Sequence, residues 1–196
     1  KKWLSGNVRA NLLKWGFNTL GWNQEVVTRN PVNHRHSRSF IPEEYRWLGM
    51  PYCHMLHFAD FHQWEVETRY TDFFSTGFED WCDYVARDEA ARLVNDQNLI
   101  GYFYIDCPTW IHTTPDMAWK GPIFDPERLK SEAGKKELFE MATQYYKVCY
   151  NAIKRYDKNH LILGDRYEAS RPLPEEVIKA AVPYVRSEGA SCRERV

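Results

Sequence analysis

No stretch of this sequence stays apolar for the roughly 18 residues that a membrane-spanning helix requires, and the opening Lys1-Lys2-Trp3 is not followed by the apolar core of a signal peptide. The sequence names no compartment. Charge of one sign is missing as well: 26 Lys and Arg against 27 Asp and Glu leave a formal net charge of -1. There is thus no electrostatic footprint for nucleic acid or an anionic membrane, and the expected partner is neutral. The five cysteines (Cys53, Cys82, Cys107, Cys149 and Cys192) have no paired short spacing. They suggest neither a zinc knuckle nor a disulfide framework, and most read as buried thiols. No glycine-rich phosphate turn follows the first strand pattern, and no tight His-x-His pair leads a strand exit. The expectation is no cofactor and no resident metal.

What the chain has in excess is aromatic side chains, 15% of residues, with eight Trp and twelve Tyr. Several lie in polar, loop-like stretches, where stacking on sugar rings accounts for them better than core filling does. Between these stretches, helix and strand patterns alternate. Val8, Leu12, Leu13 and Trp15 share a helical face that stops at Gly16, and a short strand follows over Phe17 to Trp22. Residues 23 to 42 form a long polar loop, too long for a mere connection. A short helix at 43 to 48 leads into a strand from Tyr52 to Phe58. Phe78, Trp81, Cys82, Val85, Ala86, Ala90 and Leu93 recur at helical spacing, predicting an amphipathic helix over 77 to 95. A near-continuous apolar run from Asn98 to Ile105 then ends in Asp106, Cys107, Pro108, Thr109 and Trp110, as a strand buried on both faces ends when it delivers an acid to a cleft. A helix over 135 to 156 directs Leu138, Ala142, Tyr145, Tyr146, Cys149 and Ile153 inward. Leu161 to Gly164 is a fourth strand, exiting into Asp165-Arg166-Tyr167-Glu168, and Pro174 opens a last helix over 175 to 181.

Strands separated by helices demand a parallel sheet with right-handed crossovers. Every long, aromatic-rich loop follows a strand, which favours an α/β barrel over a nucleotide-binding open sheet. The fold class expected is therefore α/β, an incomplete (β/α)8 TIM barrel, because 196 residues fall short of the roughly 250 of a complete one. Residues 1–186 are assigned to this partial domain. Residues 187–196, polar and patternless, are expected to be a foreign or truncated tail.

Three stretches carry a family resemblance: Leu13-Lys14-Trp15-Gly16-Phe17-Asn18-Thr19-Leu20-Gly21; Phe78 to Ala91 with Asn95 to Phe103; and His160-Leu161-Ile162-Leu163-Gly164-Asp165-Arg166. In that order they resemble the catalytic barrel of β-agarase-like glycoside hydrolases, and roughly residues 7 to 185 are similar to glycoside hydrolase family 50 and its relatives. The resemblance implies a retaining clan whose acid/base and nucleophile follow the fourth and seventh barrel strands, so that the strands here are the second to fifth. It also implies hydrolysis of O-glycosidic bonds in an agarose- or galactan-like polysaccharide. Where the family's fourth strand delivers Asn-Glu, this chain carries Asp106 and Cys107. The implied nucleophile lies beyond Val196, so these residues alone are expected to be inactive.

Retaining hydrolysis needs two carboxyls about 5 to 5.5 Å apart, one protonating the leaving oxygen and one attacking the anomeric carbon. Asp106 and Glu168, at the exits of neighbouring strands, are the acids expected here. Trp22 and Asn23 follow the first strand. His57, Asp60, His62 and Trp64 follow the second, Trp110 follows the third, and Arg166 the fourth; together they form the expected substrate-binding set. His54 and His57 differ by three, so within one strand they face opposite sides, which argues against a shared metal. Two alternatives stay open. One is a non-catalytic carbohydrate-binding relative, suggested by Cys107. The other is a metal-dependent barrel hydrolase or isomerase using His54 or His57, His62 and Asp106.

Overall fold

Among the described residues four strands lie side by side, all parallel, in the order in which the chain makes them: β1 (Leu20–Trp22), β2 (Tyr52–Met55), β3 (Leu99–Asp106) and β4 (Leu161–Arg166). The computed structural model describes residues 1–22, 40–59, 72–106, 108, 110, 126–167 and 173–185, with the backbone alone for Trp22 and Asp106. A parallel neighbour is reached only by a crossover, and each crossover carries helix. The helices are α1 (Arg9–Lys14, continuing a π turn at Trp3–Val8) before β1; α2 (Pro42–Leu48) between β1 and β2; α3 (Thr76–Val85), a π turn (Ala86–Ala90) and α4 (Ala91–Leu93) between β2 and β3; α5 (Glu132–Tyr156) between β3 and β4; and α6 (Glu175–Ala181) after β4. This mixed α/β architecture is compatible with part of a barrel. Among the described residues no helix is long and apolar enough to cross a membrane.

The helix ends are fixed locally. Ser131 caps α5, its Oγ accepting the Gly134 N–H at 3.1 Å, and Ser75 caps α3 through Phe78 N–H at 3.2 Å. The α2 start is closed by the Glu44 carboxylate accepting from Ile41 N–H at 3.0 Å, and its end by Gly49 in the left-handed region.

The core lies between the sheet and these helices. Tyr102 and Tyr104 of β3 are fully buried, and each sends its hydroxyl into the helical layer, to Asp157 Oδ2 at 2.8 Å and to the Tyr184 carbonyl at 2.7 Å. All six inward residues predicted for α5 are buried. At about 1.5–3 kcal/mol for each large apolar side chain, such stripes hold the helices to the sheet. β3 and β4 approach so closely that a Cβ on Gly101 would stand 2.6 Å from the Leu161 carbonyl oxygen.

Several sequence expectations are corrected. β1 begins at Leu20, not Phe17, because Phe17 and Gly16 close the end of α1: their N–H groups donate to the Leu12 and Leu13 carbonyls at 2.9 and 3.0 Å. The inward face of the first helix is Leu4, Val8 and Leu12, while Leu13 and Trp15 are exposed. The 77–95 helix is interrupted by its π turn, and Trp81 is half exposed, held by an indole N–H to the Phe58 carbonyl at 3.1 Å. β2 ends at Met55 because His57 takes φ 48, which turns the chain out of the strand, although Leu56 N–H still reaches the Phe103 carbonyl at 3.1 Å. The expected tail, 187–196, lies outside the described residues.

Candidate functional site

Polar side chains collect where β3 and β4 end. Asp106, the last residue of β3, pairs in register with Arg166, the last of β4. Just before that, β4 bulges: Tyr102 faces Ile162 but Phe103 faces Gly164, which adopts φ +83. Ile162 and Asp165 are three apart, so an unbroken strand would point them to opposite faces. The bulge re-aims Asp165 toward α5.

There three phenols meet its carboxylate. Tyr145 donates to Oδ1 at 3.0 Å, and Tyr146 and Tyr167 donate to Oδ2 at 2.7 and 3.0 Å. The Tyr146 and Tyr167 hydroxyls also lie against each other, so either can donate to its neighbour in place of Asp165. Burial pushes the Asp165 pKa up to about 6 against the lowering effect of the three phenols. Burial likewise keeps all three phenols protonated far above the usual tyrosine range. Trp110 packs against this cluster, 5.6 Å from the Tyr145 ring and 6.2 Å from the Tyr146 ring. Tyr167, 37% exposed, connects the cluster to solvent. A carboxyl that titrates near pH 6 can hold or release a proton under ordinary conditions, the property expected of strand-end acids in barrels.

A second polar cluster sits on the helical side of β2. His54, 3% exposed, donates from Nε2 to Glu89 Oε2 at 2.6 Å, leaving Nδ1 to accept the Tyr45 hydroxyl at 3.0 Å. That hydroxyl is held protonated, first by burial and then by the negative charge of Glu89. The Tyr45 ring stacks on Tyr52 at 3.6 Å.

Comparison with known proteins adds the next constraint. The crystal structure of the agarase AgWH50C matches 94% of this chain at a TM-score of 0.63 and 20% identity. An exo-β-agarase structure matches 94% at 0.61 and 20%, and that of PfGH50B matches 91% at 0.62 and 18%. In fold, the chain is similar to these family 50 agarase structures. It spans about 30% of the length of AgWH50C and 31% of each of the other two. No protein-family model matches the sequence, and no curated protein matches it.

On this family 50-like fold the expected site residues separate. Asp106 and Arg166 are brought together as backbone neighbours at the ends of β3 and β4, and Arg166 is exposed. Trp22 ends β1, and His57, half buried, follows β2. Asn23, Asp60, His62, Trp64, Cys107 and Glu168 lie outside the described residues. Trp110 requires a correction. Its ring is 1% exposed, enclosed by Phe73, Tyr145 and Tyr146, and so packs the core beneath the strand ends instead of offering a stacking face. His54 is committed to Tyr45 and Glu89 on the helical side. Asp165 is the acid that sequence reasoning passed over. Its signal was present in Gly164, since a glycine inside a strand marks a bulge, and in the adjacent tyrosines of α5.

Proposed function

We propose that these residues form the second-to-fifth-strand portion of a (β/α)8 glycoside hydrolase barrel, and that the protein containing them hydrolyses O-glycosidic bonds of an agarose- or galactan-like polysaccharide. The observation that carries this reading is the fold likeness to two agarases over 94% of the chain. The position of Asp106, at the strand end where barrels do chemistry, supports it further.

In this reading Asp106 protonates the leaving glycosidic oxygen. Glu168, two residues beyond β4 in the sequence, supplies a second carboxyl. Trp22, Asn23, Asp60, His62 and Trp64 hold the sugar, with His57 and Arg166 donating hydrogen bonds to its hydroxyls. The nucleophile implied by the family resemblance comes from a strand other than these four. Asp165 and its phenols act from below, holding Trp110 and the β4 exit in place and supplying a titratable group near the reacting acids.

The test is reducing-end release from agarose by the natural protein that contains these residues. Asp106→Asn is expected to lower turnover at least about 100-fold, and Glu168→Gln to lower it less. Undiminished turnover in both variants removes the assignments. Cys107 in place of the family's glutamate favours one second reading, a barrel that binds the polysaccharide without cutting it. Tryptophan quenching by agaro-oligosaccharides with no reducing-end release would decide for that reading.

A further inference from the structure

A cleft of about 230 Å³ opens on the helical side of β2, between the start of α2 and the π turn that joins α3 to α4. Its chemistry is mixed. Phe40, Pro42 and Leu93 supply apolar wall, His54 and His57 line it from β2 and just past its end, and Asp88, Glu89 and Arg92 supply the charged groups. The π turn carries both acids, and π turns inserted into α-helices recur at functional sites.

The polar groups are organised. His54 donates to one Glu89 oxygen and receives the Tyr45 hydroxyl on its other nitrogen, so the imidazole is fixed as a one-way donor. Glu89, 34% exposed, is thereby anchored through Oε2, and its second oxygen remains available as an acceptor. Arg92 contributes a forked donor and Asp88 a further acceptor. A simple cation would meet Arg92 and a simple anion would meet two carboxylates, so neither charge is favoured. What suits planar carboxylate and guanidinium groups of both signs beside an aromatic wall is a neutral ring bearing adjacent hydroxyls, which both donate and accept while presenting an apolar C–H face. The volume leaves room for one such ring.

We propose that this cleft is a binding site for a single sugar ring on the helical side of β2, reaching the β2 exit only at His57. It would let the protein hold a saccharide end, or a released monosaccharide, on the outer layer of the fold. The proposal rests on the cleft's own groups, and the carbohydrate reading supplies only the choice of probe.

The experiment is a two-dimensional NMR titration of the natural protein that contains these residues with D-galactose, with methylguanidinium and acetate as charged comparisons. Saturable shifts at Asp88 to Leu93 and at the His54 ring are expected with galactose alone. Arg92→Gln, on the exposed rim, is expected to weaken binding at least about tenfold with an unchanged melting curve. Glu89→Gln should weaken it more, with its folding checked by the same spectra. Non-saturating shifts with galactose, or a stronger response to either charged probe, overturns the proposal. So does an Arg92→Gln variant that binds galactose as tightly as the parent. If galactose saturates the cleft while the natural protein releases no reducing ends from agarose, the hydrolase reading fails and this site stands. The opposite pair of results removes this site alone.

Discussion

Two aspartates eight residues apart flank β4, Asp157 before its start and Asp165 near its end, and each is surrounded by donors. Their acidities are driven in opposite directions. Asp157 is fully buried, and burial alone would raise its pKa. The His160 ring at 2.6 Å, the Tyr102 hydroxyl at 2.8 Å and the backbone N–H groups of Asn159 and His160 at 2.9 and 3.1 Å overturn that and hold it below the usual carboxylate range. Asp165 has only phenols, and burial wins, leaving it at about 6. Backbone amides and an imidazole fix a permanent charge, whereas weakly acidic hydroxyls leave a proton negotiable. In the proposed reading the entry end of the strand serves stability and the exit end serves chemistry, the division of labour of parallel barrel strands.

The largest effect should come from the packing that supports the exit cluster. Trp110→Ala is expected to cost about 4 kcal/mol in chemical denaturation, because a buried indole leaves a cavity among Phe73, Tyr145 and Tyr146. Asp157→Asn should cost about 3 kcal/mol near neutral pH, since its four donors face a charged acceptor. Because Asp157 is lowered in the fold, its contribution is present above the unfolded value near pH 4 and fades as pH falls through the folded value. A melting-temperature profile of this variant should therefore decline less steeply on the acid side than the parent's.

Asp165 works with the reverse sign. Its pKa is raised in the fold, so its contribution is complete below about pH 4 and is lost as pH rises through about 6. The cost of Asp165→Asn should accordingly be about 2 kcal/mol smaller at pH 8 than at pH 4, measured by urea unfolding at both. An equal cost at the two values would show that the carboxyl titrates normally. Smallest of all, Tyr146→Phe removes one donor, which should cost about 1 kcal/mol and move the Asp165 titration upward. A downward move would mean that the phenol is not donating.

The repeating helix and strand pattern was legible because burial enforces periodicity. The α5 stripe from Leu138 to Ile153 and the apolar run of β3 both appear as written in the sequence. The strand boundaries were less so. β2 was shortened by one left-handed residue, His57, and β4 was extended past Gly164 by a bulge. The candidate site was legible only as a location. That Trp110 lies under Tyr145 and Tyr146, and that His54 meets Glu89, depends on crossovers that join residues some 35 positions apart. No local spacing encodes such contacts. An indole after a strand looks the same in sequence whether it faces sugar or a helix.

The division between the two ends of the sheet is tested most directly by mapping agaro-oligosaccharide binding onto the backbone resonances of these residues in the natural protein that contains them. The account predicts perturbation at the strand exits, at Met55 to His57 and at Arg166 and Tyr167, with Asp96, Asp157 and His160 unmoved. Perturbation centred on the Asp157 turn would contradict it.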